Sequence, residues 1–260
     1  MALNLNGICQ LAIIPIRSEP SERSEQVSQL IFGETFDILE QNDTWSFIKT
    51  HFDGYKGWIT TKMATTYTQM PENIGETIYL KEIAGRISFP GEKKQYQWIP
   101  GGATLYTQGL EYTNYNESFT FDPVCSIHST ESPIFITETA LKFLNAPYLW
   151  GGRTIFGIDC SGFTQIVYKM NGIAILRDAS QQAEDGTLVN LEEAAPGDLA
   201  FFDNAEGKIT HVGIILGKGK IIHASGQVRI DKIDQQGIFN EELKKYTHTL
   251  RLIRRVLNSY

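Results

Sequence analysis

The sequence predicts an α+β protein in which small all-β barrels precede a domain of helices and antiparallel sheet. Three observations predict it. Short β-like runs separated by turn signals fill about the first 125 residues. Two helical patterns follow residue 130, and after them come consecutive hairpin-forming strands.

The elements follow in chain order. Leu11 to Ile16 is rich in branched residues and stops at Pro20-Ser21. Thr35 to Leu39, Trp45 to Thr50 and Gly57 to Thr60 give further strands, with turns at Asn42-Asp43 and Asp53-Gly54. Closely spaced strands of this kind predict a small barrel. The same style continues through Thr77 to Ile83, Arg86 to Phe89, Tyr96 to Ile99 and Thr104 to Tyr106, predicting a second barrel without a clean repeat. Ser132 to Asn145 is expected to be helical, with Ile136, Ala140, Phe143 and Leu144 on one face. A glycine- and aromatic-rich loop, Pro147 to Gly157, leads to a second helix, Asp159 to Met170, closed by Asn171-Gly172. A polar helical stretch spans Ala179 to Glu184. The strands Leu199 to Phe202, His211 to Leu216, Lys220 to Ala224 and Leu250 to Val256 complete the pattern.

Composition excludes several classes. Aromatic residues at 11% and charged residues at 20% argue against a disordered chain. A net charge of −7, with no dense Lys/Arg cluster, argues against nucleic acid or an anionic membrane as partner. No apolar run approaches the roughly 18 residues of a membrane span. Three cysteines, Cys9, Cys125 and Cys160, are too few and too odd in number for a disulfide framework. The first cationic residue is Arg17, and polar residues interrupt the first apolar stretch, so no secretory leader is expected. The expected location is cytoplasmic.

Cys160 opens the second predicted helix. Helix N-termini favour anions, so the position is expected to lower the thiol pKa and to offer N–H groups to an oxyanion. A small buried residue in a helix cap is the plain alternative. Gly217-Lys218-Gly219 reads as a three-residue hairpin turn. Pairing Leu216 with Lys220 makes partner numbers sum to about 436, which opposes His211 to Ser225 and puts His223 on the same sheet face. One imidazole can then take the thiol proton while the other orients it. Zinc bound by Cys160, His211 and His223 competes, but no tight CxxC or HxxxH pair supports it. No metal and no cofactor are expected. His51, His128 and His248 lack acidic or cysteine companions in sequence and read as surface or packing residues, as do Cys9 and Cys125.

Five segments in order carry a resemblance: Tyr148-Leu149-Trp150-Gly151-Gly152, Asp159-Cys160-Ser161-Gly162-Phe163, Pro196-Gly197-Asp198-Leu199, His211-Val212-Gly213-Ile214 and Ile222-His223-Ala224. Together they resemble the NlpC superfamily of papain-like cysteine peptidases. The resemblance implies that Cys160 is the nucleophile, His211 the base and His223 the residue orienting the base. It also implies hydrolysis of bacterial cell-wall peptides.

Pro15 to Pro20, Ser24 to Val27, Phe32-Gly33-Glu34 and Asp53 to Trp58 are similar to the first bacterial SH3-like domain of γ-D-glutamyl-L-diamino acid endopeptidases. Those enzymes cut L-Ala-γ-D-Glu from the following diamino acid and require a free N-terminal alanine. The resemblance implies Glu25 and Tyr55 for the substrate amine. It implies Asp159, Ser161, Asp178 and Ser180 for polar substrate groups, with Tyr148 and Trp150 as aromatic walls. The expected organisation is residues 1–65 and 66–128 as SH3-like domains, the second divergent, and 129–260 as the peptidase domain. The expected partner is a small murein peptide, and the expected state is a monomer. Rival readings are a secreted hydrolase of intact wall and a non-catalytic muropeptide-binding protein.

Overall fold

The computed structural model describes residues 5–67, 76–89, 95–108, 111–113, 118–122 and 133–256. Cys125 and His128 lie outside them. The chain folds as two compact units, Met1–Ile127 and His128–Tyr260.

The first unit begins with β1 (Leu5–Ile8), β2 (Ile13–Arg17), β3 (Gln26–Ile31), β4 (Thr35–Gln41), β5 (Trp45–Thr50), β6 (Lys56–Thr60) and β7 (Thr65–Tyr67). They form one sheet in the order β3-β2-β6-β5-β4-β1-β7. Alternation places Ile14 and Ile16 of β2 inward, where they pack with Leu30, Phe36, Ile48 and Ile59. The β4–β5 turn is held by Asn42, whose Oδ1 accepts the backbone N–H groups of Thr44 (2.9 Å) and Trp45 (2.8 Å).

A second sheet in this unit comprises β8 (Thr77–Tyr79), β9 (Ala84–Phe89), β10 (Gln95–Pro100), β11 (Thr104–Gln108), β12 (Glu111–Thr113) and β13 (Ser118–Asp122), in the order β10-β9-β13-β12-β11-β8. Its core of Ile78, Leu80, Ile87, Ile99 and Leu105 includes Phe32, borrowed from the first sheet. The next residue, Gly33, has φ +80°, and a Cβ there would lie 1.8 Å from the Thr104 carbonyl oxygen. Only glycine permits that approach.

In the second unit, α1 spans Pro133–Leu141 and is shorter than expected. Ile136, Ala140 and Phe143 are buried, but Leu144 is exposed because the chain has already left the helix. The loop carries the short pair β14 (Arg153–Thr154) and β15 (Gly157–Ile158), and then α2 (Cys160–Met170) and α3 (Ala179–Gln182). The remaining strands are β16 (Thr187–Val189), β17 (Leu199–Asp203), β18 (Ile209–Gly217), β19 (Lys220–Ser225), β20 (Gln227–Asp234), β21 (Gly237–Asn240) and β22 (Lys245–Arg255). All their pairings are antiparallel, in the order β16-β22-β17-β18-β19-β20-β21.

The sheet also closes on itself. The long β22 pairs with β17 through Thr249–Arg254 and with β21 through Lys245–Thr249. The result is a six-stranded barrel filled by Phe202, Ile215, Ile221, Ile233, Ile238 and Ile253. The β18–β19 register sums to 436, with Gly213 opposite His223 and Ile214 opposite Ile222. The turn is tighter than expected, because Gly217 pairs with Lys220 and an irregularity after Ile215 absorbs the extra residue.

Candidate active site

Cys160 is the first residue of α2, and its placement is built by Asp159. The N-cap carboxylate accepts the backbone N–H of Gly162 at 2.6 Å and that of Gly151 at 2.8 Å. Arg177, buried to 1% exposure, donates Nη2 to Asp159 Oδ2 at 2.6 Å and Nη1 to Ser161 Oγ at 2.9 Å. One carboxylate thus caps the helix, fastens the preceding loop and neutralises a buried guanidinium. Close backbone packing does the rest: a Cβ on Gly162 would sit 2.2 Å from the Gly152 carbonyl oxygen.

The histidines stand on adjacent strands of one face. His211 pairs with Phe202 and His223 lies two residues from Ile221, so both point the way the barrel core points. His211 Nε2 and His223 Nδ1 are 2.8 Å apart. His223 Nε2 lies 3.0 Å from Asp231 Oδ2 on β20, and Arg229 grips Asp231 through Nε (2.7 Å) and Nη2 (3.0 Å). Gly213 makes the first contact possible, since a Cβ there would lie 2.8 Å from the Cβ of His223.

Electrostatics corrects one expectation. Burial, helped by the Asp159 carboxylate, pushes the Cys160 thiol up to about 12, although backbone hydrogen bonds from Val212 and Ser161 and the charge of Arg177 pull it down. A helix end contributes at most about 2 kcal/mol, or about 1.5 pKa units, less than burial removes. Burial, His223 and His248 hold His211 well below the ordinary histidine range. Both shifts favour the uncharged forms, a thiol and a neutral imidazole. The Val212 hydrogen bond places the sulfur at the residue next to His211.

Comparison with known proteins bears on this arrangement. Residues 145–248 match the NlpC/P60 family, and residues 16–62 match the bacterial dipeptidyl-peptidase SH3 domain. The chain carries an NlpC/P60 domain. That domain is of cysteine-peptidase type, and an SH3 domain precedes it in the sequence. A Bacillus cereus protein named γ-D-glutamyl-L-lysine dipeptidyl-peptidase is 26% identical over 82% of this chain and 72% of its own length. Its namesake from Bacillus subtilis is 50% identical over 34% of this chain and 31% of its own. Dipeptidyl-peptidase 6 of Lysinibacillus sphaericus is 25% identical over 89% of this chain and 93% of its own. The crystal structure of an NlpC/P60 family protein from Bacillus cereus shares the fold, with TM-score 0.81 and 22% identity over 97% of this chain and 100% of that one.

The NlpC/P60 domain gathers some of the other expected residues around the sulfur. Tyr148 is half-buried, and burial together with the charges of Cys160 and Asp159 pushes its phenol up to about 12, so it stays a hydrogen-bond donor near the nucleophile. Asp159 and Ser161 are buried, and both are engaged by Arg177. Trp150 is exposed on the loop before α2. Asp178 is the N-cap of α3, with its backbone N–H donated to Gln181 Oε1 at 3.0 Å, and Ser180 is exposed on that helix. Glu25 and Tyr55 belong to the first unit. They precede β3 and β6, whose first residues both lie at the Arg17 end of β2.

Sequence reasoning missed four residues. His248, read as a packing residue, stacks on His211 with ring centroids 4.1 Å apart. Asp231, Arg229 and Arg177 were passed over. His51 was read as lacking an acidic companion, yet its Nε2 lies 2.8 Å from Asp37 Oδ1 across the first sheet. Extending the strand ladder through the Gly226 turn would have found Asp231: partner numbers summing to 452 set His223 opposite Arg229 and Ile221 opposite Asp231.

Proposed function

We propose that this peptidase hydrolyses the bond between γ-D-Glu and a diamino acid in L-Ala-γ-D-Glu-diamino acid peptides whose N-terminal amine is free. The coarser class, a hydrolase of peptidoglycan-derived peptides, follows from the family and from the names its relatives bear. The observation that carries the reading is a thiol at the start of α2, hydrogen-bonded to Val212, beside the buried ladder from His211 to His223.

The chemistry follows from the geometry. His211 takes the thiol proton as the sulfur attacks the γ-carbonyl carbon, and the carbonyl π pair moves to oxygen. Tyr148 and the backbone N–H of Cys160 are assigned to that oxygen, the next N–H groups of α2 being held by Asp159 and the sulfur. On collapse the C–N bond breaks, and the amine leaves with the proton held by His211. Water, deprotonated by the same imidazole, then attacks the thioester. The C–S bond breaks, and the thiolate takes its proton back from His211.

Glu25 and Tyr55 are assigned to the substrate amine, and Asp178 and Ser180 to polar groups of the peptide. A carboxylate suits an ammonium group, and stem peptides still joined to glycan through their alanine have no N-terminal one to offer. A role in recycling, and residence in the cytoplasm where freed peptides would be met, complete the reading.

The experiment is mass spectrometry of products from L-Ala-γ-D-Glu-diaminopimelate and L-Ala-γ-D-Glu-L-Lys, each free and N-acetylated. Release of L-Ala-γ-D-Glu from the free peptides alone is expected. Cys160→Ala abolishes it, and Glu25→Gln raises KM more than it lowers kcat. Absence of the dipeptide product, or equal cleavage by Cys160→Ala, overturns the reading. Clearing of intact sacculi with no preference for a free amine favours a wall hydrolase instead.

A further inference from the structure

The ladder behind Cys160 does not end at His223. His211, His223 and Asp231 lie on three neighbouring strands, β18, β19 and β20, and all three side chains are buried. We propose that Asp231 is a positioning residue that dictates, through His223, which nitrogen of His211 is free to accept the thiol proton. The proposal rests on the peptidase reading above, but its structural core can be tested without any turnover.

The argument is one of donors and acceptors. An ionised carboxylate only accepts hydrogen bonds. Arg229 keeps Asp231 ionised by gripping both of its oxygens, Nε on Oδ2 and Nη2 on Oδ1. Burial pushes the Asp231 carboxyl up, but hydrogen bonds from His223 and Arg229 outweigh it and leave it below the usual carboxylate range. His223 must then carry hydrogen on Nε2 to satisfy the 3.0 Å contact. In the neutral ring this leaves Nδ1 a bare acceptor. Across the 2.8 Å contact, His211 must supply the hydrogen, from its Nε2. The remaining nitrogen of His211, Nδ1, is left unprotonated. It is the only ring nitrogen of His211 not engaged by His223, so it is the one that meets the thiol.

The opposite polarity would disable the site. If His223 carried its hydrogen on Nδ1, His211 Nε2 would be the acceptor and Nδ1–H would face the sulfur. That tautomer cannot take a proton. It also leaves His223 Nε2 and the Asp231 carboxylate as two acceptors in contact, which neither side can relieve by turning to water because both are buried. Arg229 stands directly opposite His223 on β20, so the same strand supplies both the carboxylate and the charge that keeps it ionised. Geometry alone would allow a lone His211–His223 pair to choose either direction. Asp231 breaks that symmetry.

When His211 takes the thiol proton it holds hydrogen on both nitrogens. His223 Nδ1 still accepts from Nε2, and Asp231 still accepts from His223. No proton moves along the chain, and the carboxylate steadies the imidazolium through an unbroken line of hydrogen bonds.

The test is side-chain ¹⁵N NMR on histidine-labelled full-length protein at pH 7.5, with the five histidines assigned by single substitutions. The expected spectrum shows His211 and His223 as Nε2–H tautomers. Asp231→Asn, whose amide can donate to His223 Nε2, is expected to shift His223 and His211 toward Nδ1–H. It is also expected to lower kcat by roughly 10²- to 10⁴-fold, the range a tautomer error costs in a comparable triad, with KM within about threefold. Wild-type His211 observed with hydrogen on Nδ1 overturns the proposal. So does a folded Asp231→Asn variant that keeps full kcat. The wild-type spectrum decides the matter even if the variant fails to fold. Failure of wild type to cleave the tripeptide overturns the proposed function and leaves the tautomer test standing.

Discussion

His211 and His248 lie almost face to face, their ring centroids 4.1 Å apart and their planes inclined by 22°. Phe202 closes the group, 5.8 Å from His211 and 6.0 Å from His248. The stack holds the plane of the base while His223 holds its edge. Aromatic pairs of this kind contribute about 0.5–1.5 kcal/mol beyond burial. His248→Ala is therefore expected to lower kcat roughly 2- to 10-fold with KM little changed. His248→Phe, which keeps the stacking surface, is expected to stay within about twofold of wild type. Steady-state kinetics of the two variants check it, and equal loss in both would show that the imidazole nitrogens of His248 matter instead.

The thiol should behave as a buried neutral group in the free enzyme. With its pKa pushed up to about 12, the thiolate fraction at pH 7 is small and grows with pH across the alkaline range. Iodoacetamide labelling of Cys160 is expected to be slow at pH 7 and to rise about tenfold per unit up to pH 10. A plateau beginning below pH 7 would reveal a resting thiolate–imidazolium pair.

Gly213 is expected to resist any side chain. Alanine there would drive its Cβ to 2.8 Å from both His223 Cβ and Ile221 Cδ1. Overpacking of this kind costs about 1–3 kcal/mol. Because the displaced residue is His223, Gly213→Ala should lose activity at temperatures where it remains folded. Urea melts beside kcat measurements separate the two effects.

Acid should destabilise the fold through its buried histidines. Burial and His223 hold His248 at about 4, against the Coulombic pull of Asp231, and His211 is likewise depressed. Below the ordinary histidine pKa of about 6.5 the unfolded chain binds protons that the folded chain refuses. Stability therefore falls as pH drops from about 6.5 toward about 4 and is flat between 7 and 8. Thermal melts across that range are expected to show a shallower acid slope for His248→Phe than for wild type.

Local patterns made much of this site legible. A helix start at Cys160 and the hairpin sum of 436 needed only Asp159, the glycine turn and the period-two rule. His248 was not legible, because its meeting with His211 depends on barrel closure between strands distant in sequence, with a register shift at Ile238/Phe239. Local composition carries no signal for such a closure. The resting charge of Cys160 was misread for a related reason: a helix start is visible in sequence, but the burial that overrides it belongs to tertiary packing. Arg177 stood in a segment whose neighbours Asp178 and Ser180 drew the attention. Its hold on Asp159 spans 18 residues, and nothing in the spacing announces it.

Among the described residues, the strand that seals the barrel follows every other strand of its sheet in the chain. Until Lys245–Arg255 is in place, β17 and β21 each keep an unsatisfied edge, and Phe202 and His211 face water where His248 will stand. Cys160, His211 and His223 thus all precede, in the chain, the strand that dries and stacks the base. A chain cut before Lys245 is therefore expected to keep the three groups but to lose the closed barrel that shields them, and to be open to proteolysis.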